Sequence, residues 1–290
     1  MKKNILITGG SGFLASHIAD YFSDRGYKVI LLDKYKSKFL RKDQKMVICD
    51  ILDRKKLENI LKNVDIVFHF AAEADLFKSN SNPYYAIKCN IIGTANILEA
   101  CIKNKIKRII YASSIYALSE QGGFYSLSKL SSEMIIENYH KKYDIDFVIL
   151  RFGSIYGDRA NNFNTIQNFI RNAVTEKKIL RKSNGREIRN FINVKDVSKI
   201  CFQIIKKKYI NKYFNIYGPK KKKVYEILNI IKNFLPETKI NYYKKSKMKY
   251  NYNKKPFTYK LRRGKVIYLK KYINIEDGIN SVIKNVKNES

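Results

Sequence analysis

The sequence predicts an α/β chain: a doubly wound parallel sheet with helices on both faces. Three observations carry that expectation. Six apolar runs, at 4–8, 28–33, 46–49, 65–70, 107–113 and 146–151, alternate with helical patterns at 12–24, 55–63, 83–103 and 124–142. Most of the runs are continuously apolar, as strands covered on both faces by crossover helices are. The residues with chemistry to offer, Gly9, Asp33, Asp50, Ala71, Ser113 and Ser114, all fall at the carboxyl ends of those runs, where open α/β sheets bind ligands.

The first run, Asn4 to Thr8, ends in Gly9-Gly10-Ser11-Gly12; a helical pattern covers Phe13 to Phe22, and Val29 to Leu32 ends at Asp33. Strand, glycine turn, helix, strand and acid in that order form a dinucleotide fingerprint. Gly9 makes the tight turn, and Gly12 lets the backbone approach a pyrophosphate at the helix N-terminus, where free N–H groups and the dipole favour an anion. Ala15 replaces a third glycine and is small enough for close helix–strand packing. Asp33 accepts from ribose hydroxyls and disfavours a 2′-phosphate, which points to NAD; Lys34 and Lys36 act in the opposite sense.

Ser113 and Ser114 follow the fifth run, and the helix at 124–142 carries Tyr125 and Lys129 one turn apart on one face. A phenol titrates near pH 10, so a neutral-pH base needs about 4 kcal/mol of preference for the phenolate. A lysine one turn away and an oxidised nicotinamide are the expected sources of that field. Alone, the pair also reads as a solvated helix face; the fingerprint upstream gives it weight.

Beyond residue 151 the pattern loosens. A helix is expected at 161–177, a turn at 183–187, strands at 191–194 and 213–217 around a helix from Asp196, a helix near 224–235 and a last one from Glu276. Lys220–Lys223 reads as solvated surface.

The 290 residues carry a net charge of +33, with +7 in residues 1–150 and +26 in 151–290. A basic half invites nucleic acid or a polyanionic small ligand. Here the lysines are dispersed among isoleucine, asparagine and tyrosine without a nucleic-acid motif, so compositional bias is the reading and no specific nucleic-acid partner is expected. Neither a signal peptide nor a membrane span is evident. Cys49, Cys89, Cys101 and Cys201 are scattered without a C-x-x-C pair, which fits reduced thiols in a cytoplasmic protein and no metal site.

The G-x-x-G-x-x-A spacing, the Ser-Ser pair and Tyr-x-x-x-Lys resemble the extended class of short-chain dehydrogenases/reductases, the NAD-dependent nucleotide-sugar epimerase/dehydratase family. The likeness extends to Asp50, His69-Phe-Ala-Ala72, Asn90-Ile-Ile-Gly-Thr94, Leu150-Arg-Phe-Gly-Ser-Ile-Tyr-Gly157 and Arg189-Asn-Phe-Ile-Asn-Val-Lys-Asp196, and so covers most of the chain.

That resemblance implies a Rossmann domain at 1–157 and 188–217, and a smaller C-terminal α/β substrate-binding lobe at 158–187 and 218–290. It implies NAD held by Gly9, Ser11, Gly12, Phe13, Leu14, Asp33, Lys34, Asp50, Ile51, Phe70, Ala71, Ala72, Asn90 and Ser113, together with Tyr125 and Lys129. It makes Ser114, Tyr125 and Lys129 catalytic, with Ser113 a minor alternative to Ser114, and sets Ser114, Tyr156, Arg159 and Arg189 toward a nucleotide-diphosphate sugar. Arg262 or Arg263 is a weaker candidate for the diphosphate.

Two departures bear on the reaction. Ser114 and Tyr125 are eleven apart, about half the usual separation, although ten intervening residues still span roughly 33 Å. Dehydratases of the family place Asp-Glu after the catalytic hydroxyl; here Ile115-Tyr116 stands there, which disfavours elimination. The expected activity is 4-epimerisation through a 4-keto intermediate. The alternatives are a 4-dehydrogenase or 4-reductase that keeps its NADH, and, from another class, a non-catalytic NAD-binding regulator. A homodimer through the helix of Tyr125 is expected, because Met134, Ile135 and Ile136 widen its apolar face.

Overall fold

A computed structural model describes residues 3–119, 121–243 and 265–289. Each apolar run of the first half forms a strand: β1 (Asn4–Thr8), β2 (Lys28–Asp33), β3 (Gln44–Ile48), β4 (Ile66–His69), β5 (Arg108–Ser114) and β6 (Asp146–Phe152). Between them run α1 (Phe13–Ser23), α2 (Arg54–Ile60), α3 (Leu76–Ser81), α4 (Pro83–Ile87), α5 (Gly93–Lys103) and α6 (Gly123–Tyr143). The predicted helix at 83–103 is α4 and α5 joined by a π-helical turn at Lys88–Ile92, with Asn90 inside it.

The second half contributes β7 (Ser154–Tyr156), α7 (Thr165–Glu176), β8 (Lys178–Arg181), β9 (Ile188–Asn193) and α8 (Val194–Gln203). It continues with β10 (Lys212–Ile216), β11 (Lys221–Lys223), α9 (Val224–Phe234), β12 (Lys239–Tyr242), β13 (Lys265–Val266) and α10 (Ile275–Asn288). The expected helices at 161–177 and 224–235 and the terminal helix are present within a few residues. Lys221–Lys223, expected as bare surface, pairs antiparallel with β9; its ladder is made by backbone groups that lysine side chains do not reveal.

Eight parallel strands form the main sheet in the order β13-β10-β6-β5-β4-β1-β2-β3. Crossover helices bury both faces, as the continuous apolar runs require. On one face Ile5, Ile7, Phe68 and Val148 pack with Ile18 and Phe22 of α1 and Val197 and Ile200 of α8. On the other, Leu6, Val67, Ile109 and Ile149 pack with Leu57 of α2, Ile97 and Cys101 of α5 and Ile136 of α6. A third core joins α7, α9 and α10 through residues such as Ile170, Ile227 and Ile283. The strand order reverses beside β1, whose neighbours are β2 and β4, so the turn at Gly9 and the loop at Phe70 flank a switch-point crevice.

All four cysteines are free thiols. Among the described residues, no helix is long and apolar enough to cross a membrane.

Candidate functional site

The crevice begins at Gly9, whose φ of +72° is left-handed; a Cβ there would lie 2.8 Å from the Ala71 backbone nitrogen. Glycine therefore sets how closely the turn approaches the loop after β4. Gly12 caps α1 in extended conformation and provides no side-chain cap bond, which leaves the N–H groups at Phe13 and Leu14 facing the helix entrance. At the end of β2, Asp33 accepts from Ser11 N–H through Oδ2 and from Tyr35 N–H through Oδ1, both at 3.1 Å. A carboxylate has about four acceptor sites, so capacity for ribose hydroxyls remains. Close approach, an uncapped helix and a fixed acid fit a dinucleotide.

Asp50, two residues beyond β3, is exposed and accepts from Leu52 N–H at 2.9 Å, with Ile51 buried beside it. Lys34 does not turn into the crevice: its Nζ donates to Tyr85 Oη of α4 at 2.9 Å.

Thr8 ties the two loops together. Its hydroxyl accepts from Phe70 and Ala71 N–H, both at 3.0 Å, and donates to His69 Nδ1 at 2.8 Å. His69 Nε2 donates onward to Thr94 at 3.0 Å, and Thr94 to the Asn90 carbonyl at 2.6 Å. Burial lowers the His69 pKa to about 3, with Lys129 acting in the same sense. The neutral ring is thus a fixed strut beneath the Phe70–Ala72 loop.

Asn90, an expected cofactor contact, has its amide engaged within the protein. Asn90 is 1% exposed; its Oδ1 accepts from Glu73 N–H at 2.7 Å, and its Nδ2 donates to Glu73 carbonyl and Ser128 hydroxyl at 3.1 and 2.9 Å. The π-helical turn aims the amide inward, where it joins the β4 loop to α6.

Alternation along β5 separates the two serines. Ser113 faces α6, and its hydroxyl donates to Glu133. Ser114 accepts from Tyr116 N–H at 3.2 Å and its hydroxyl neighbours the Tyr125 phenol. The short connection is closed by a 3₁₀ turn, Ile115–Leu118, and by Gly122 at φ +98° before α6. Ser126 of α6 donates to the Tyr116 and Ser119 carbonyls at 2.5 and 3.1 Å, and the Tyr116 and Tyr125 rings meet edge-on at 6.4 Å. Eleven residues therefore suffice.

Tyr125 and Lys129 are both buried. Burial pushes the phenol up to about 12, and only the neighbouring Ser114 hydroxyl pulls the other way. The expected lowering by Lys129 is not seen, because Lys129 Nζ donates to the Ala112 carbonyl at 2.8 Å and lies 6.0 Å from the phenol ring centroid. Burial also lowers the Lys129 ammonium to about 8.

Beneath the site lies a group that sequence reasoning missed. Glu133 receives Arg151 Nε at 2.9 Å and Nη2 at 2.6 Å, a bidentate pair with side chains 2% exposed. Its signal was available: Glu133 follows Lys129 by four residues on the same helix face.

The other expected site residues belong to the second half of the chain. Tyr156 is 1% exposed, and its ring fills the third core. Arg159 pairs with Asp20 of α1 at 2.8 Å and lies 4.8 Å over Phe39, so its charge is matched inside the protein. Arg189, in β9, donates from Nη1 to the Ile188 carbonyl at 2.9 Å and stands opposite Lys222 of β11. Arg262 and Arg263 lie outside the described residues.

A family model described as "NAD dependent epimerase/dehydratase family" matches residues 5–216. A putative UDP-glucose 4-epimerase of Methanocaldococcus jannaschii is 30% identical over 99% of both chains. A dTDP-D-glucose 4,6-dehydratase of Dictyostelium discoideum is 30% identical, covering 74% of this chain and 58% of its own length. Among solved structures, the UDP-glucose 4-epimerase of Thermotoga maritima with UDP-glucose superposes with a TM-score of 0.86, at 24% identity over 99% of both chains. The UDP-N-acetylglucosamine 4-epimerase of Methanobrevibacter ruminantium, in complex with UDP-N-acetylmuramic acid, gives 0.86 at 24% identity over 100% of both. At these identities the structural likeness speaks for the fold.

Proposed function

Because the chain belongs to the NAD-dependent epimerase/dehydratase family, we propose that it interconverts the C4 epimers of a nucleotide-diphosphate sugar through a 4-keto intermediate. The observation that carries this reading is the placement of Ser114 at the end of β5 beside Tyr125 of α6, both buried, with Lys129 one turn further along the same helix. Gly9, Ser11, Gly12, Phe13, Leu14, Asp33, Asp50, Ile51 and the Phe70–Ala72 loop would hold NAD. When bound, that cofactor supplies reversible hydride acceptance and a positive charge.

Tyr125 takes the proton from the sugar's 4-hydroxyl and later returns it. Ser114 holds that oxygen in place. Lys129, held at the Ala112 carbonyl 6.0 Å from the phenol ring, would favour the phenolate together with the positive charge of the bound cofactor. Ile115-Tyr116 offers no carboxyl group after Ser114, which supports redox chemistry without loss of water. Arg189 is the proposed partner of the diphosphate, since a guanidinium matches two phosphate oxygens.

We further propose the division into an NAD-binding part, 1–157 and 188–217, and a substrate lobe, 158–187 and 218–290. A cytoplasmic homodimer in carbohydrate biosynthesis completes the reading. Met134 is 55% exposed on α6 and supports the dimer, whereas Ile136 is buried in the core and leaves less apolar face than the sequence suggested.

The test is incubation of the purified chain with UDP-glucose, UDP-galactose and their N-acetyl forms, with proton NMR of the products. Inversion at C4 without accumulation of free NADH supports the epimerase. Stoichiometric NADH with a keto product identifies a dehydrogenase. No turnover of this set, with NAD bound, counts against the reading.

A further inference from the structure

At the adenosine end of the crevice, the position of Lys34 is set by a residue outside the glycine fingerprint. Its Nζ donates to Tyr85 Oη at 2.9 Å and lies 5.5 Å from the Tyr85 ring centroid and 5.1 Å from that of Tyr35. Tyr85 belongs to α4, which follows β4, whereas Lys34 follows β2. The contact therefore joins the two sides of the switch point.

Asp33, although adjacent in sequence, is not what holds the ammonium. Its two oxygens receive Ser11 and Tyr35 N–H. The bond to Tyr85 is the leading reason the Lys34 pKa is raised, and the carboxylate acting on it is Asp50.

We propose that Tyr85 is a specificity-determining residue for the cofactor: by accepting from Lys34 it keeps that ammonium on the α4 side and leaves Asp33 as the charge facing the adenosine ribose. The inference rests on the crevice being the NAD site. A lysine ammonium on its flexible stem is readily recruited by a phosphate. A 2′-phosphate entering this site meets the carboxylate while Lys34, next to it in sequence, is engaged by Tyr85. Removing the phenolic oxygen releases Lys34 to meet that phosphate. An exposed pair of this kind is worth about two- to five-fold in relative affinity.

The experiment equilibrates NAD-loaded protein by dialysis against equal concentrations of NAD and NADP, then releases and quantifies the bound dinucleotides by mass spectrometry. Wild type, Tyr85→Phe, Lys34→Ala and the double variant are compared. Tyr85→Phe should raise the bound NADP:NAD ratio about two- to five-fold, and the double variant should return to the Lys34→Ala value. An unchanged ratio in Tyr85→Phe overturns the inference, as does a rise that persists without Lys34. Wild type that retains neither dinucleotide overturns the reading of the crevice itself. Retained NAD with an unchanged ratio overturns only the role of Tyr85.

Discussion

The ammonium of Lys129 stands 6.0 Å from the ring centroid of Tyr125 and makes its 2.8 Å hydrogen bond with the Ala112 carbonyl. The two side chains are thus neighbours without being a hydrogen-bonded pair, and each is displaced by burial in its own direction. Lys129 falls to about 8 and Tyr125 rises to about 12. Both shifts favour the neutral form.

Those shifts predict a pH dependence of stability with two signs. Below pH 8 the fold bears the cost of a charged buried Lys129, about 3 kcal/mol at 1.36 kcal/mol per unit. Between about 8 and 10.5 the unfolded chain binds more protons at this lysine, so its contribution rises with pH. Between about 10 and 12 the folded chain binds more at Tyr125, and that contribution falls. Urea unfolding of wild type, Lys129→Met and Tyr125→Phe across pH 7–11 measures each difference. A wild-type-minus-Lys129→Met difference that stays flat from pH 8 to 10 contradicts the assignment.

Turnover should depend on the Tyr125 hydroxyl more than on anything its ring contributes. Tyr125→Phe keeps the edge-on contact with Tyr116 and removes one oxygen, so the fold and bound NAD should persist. The rate should fall at least about a hundredfold, since positioned acid–base groups contribute 10²–10⁴. Turnover near wild type would remove Tyr125 from the chemistry.

The parts of the site legible in the sequence were those fixed by short-range geometry. Gly9, Gly12 and Asp33 lie within one strand–helix–strand unit, and Tyr125 and Lys129 within one helical turn, so spacing alone placed them together. What stayed hidden depends on contacts between distant segments. Ser113 and Ser114 are adjacent in sequence, and only the pairing of β5 beneath α6 shows which one Glu133 takes. Tyr156 and Arg159 follow β6 closely enough to look like crevice residues, yet Tyr156 packs in the third core and Arg159 pairs with Asp20. In the second half, the short lysine-bearing strands β8, β11 and β12 are held by backbone ladders and carry no apolar period to read.

The Glu133–Arg151 pair should support the site from below. It is buried and bidentate, and Glu133 also receives the Ser113 hydroxyl. Glu133→Ala removes the carboxylate from beside a buried guanidinium and should cost about 3–5 kcal/mol. Replacing both as Glu133→Leu with Arg151→Met should recover much of that loss, because a well-packed apolar pair avoids the desolvation cost. Denaturant midpoints for the single and double variants check this. A double variant no more stable than Glu133→Ala would show that the pair contributes net stability beyond its own burial.

Asp33 should set the choice of dinucleotide. Ser11 and Tyr35 N–H fix its carboxylate at the end of β2, beside the turn at Gly9. A 2′-phosphate near it places like charges a few ångströms apart, a cost of about 1–4 kcal/mol for effective dielectrics between 80 and 20. Lys34 does not offset that cost while its Nζ is bound to Tyr85. The wild type should therefore prefer NAD at least about tenfold, the equivalent of about 1.4 kcal/mol. Asp33→Ala also withdraws the acceptor from two backbone N–H groups, so affinity for both dinucleotides should fall, and the informative quantity is their ratio. Calorimetric titration of NAD and NADP into both proteins should show that ratio reduced or reversed in the variant. Equal affinities in the wild type would mean that the carboxylate's charge is already neutralised there and that Asp33 does not choose the cofactor.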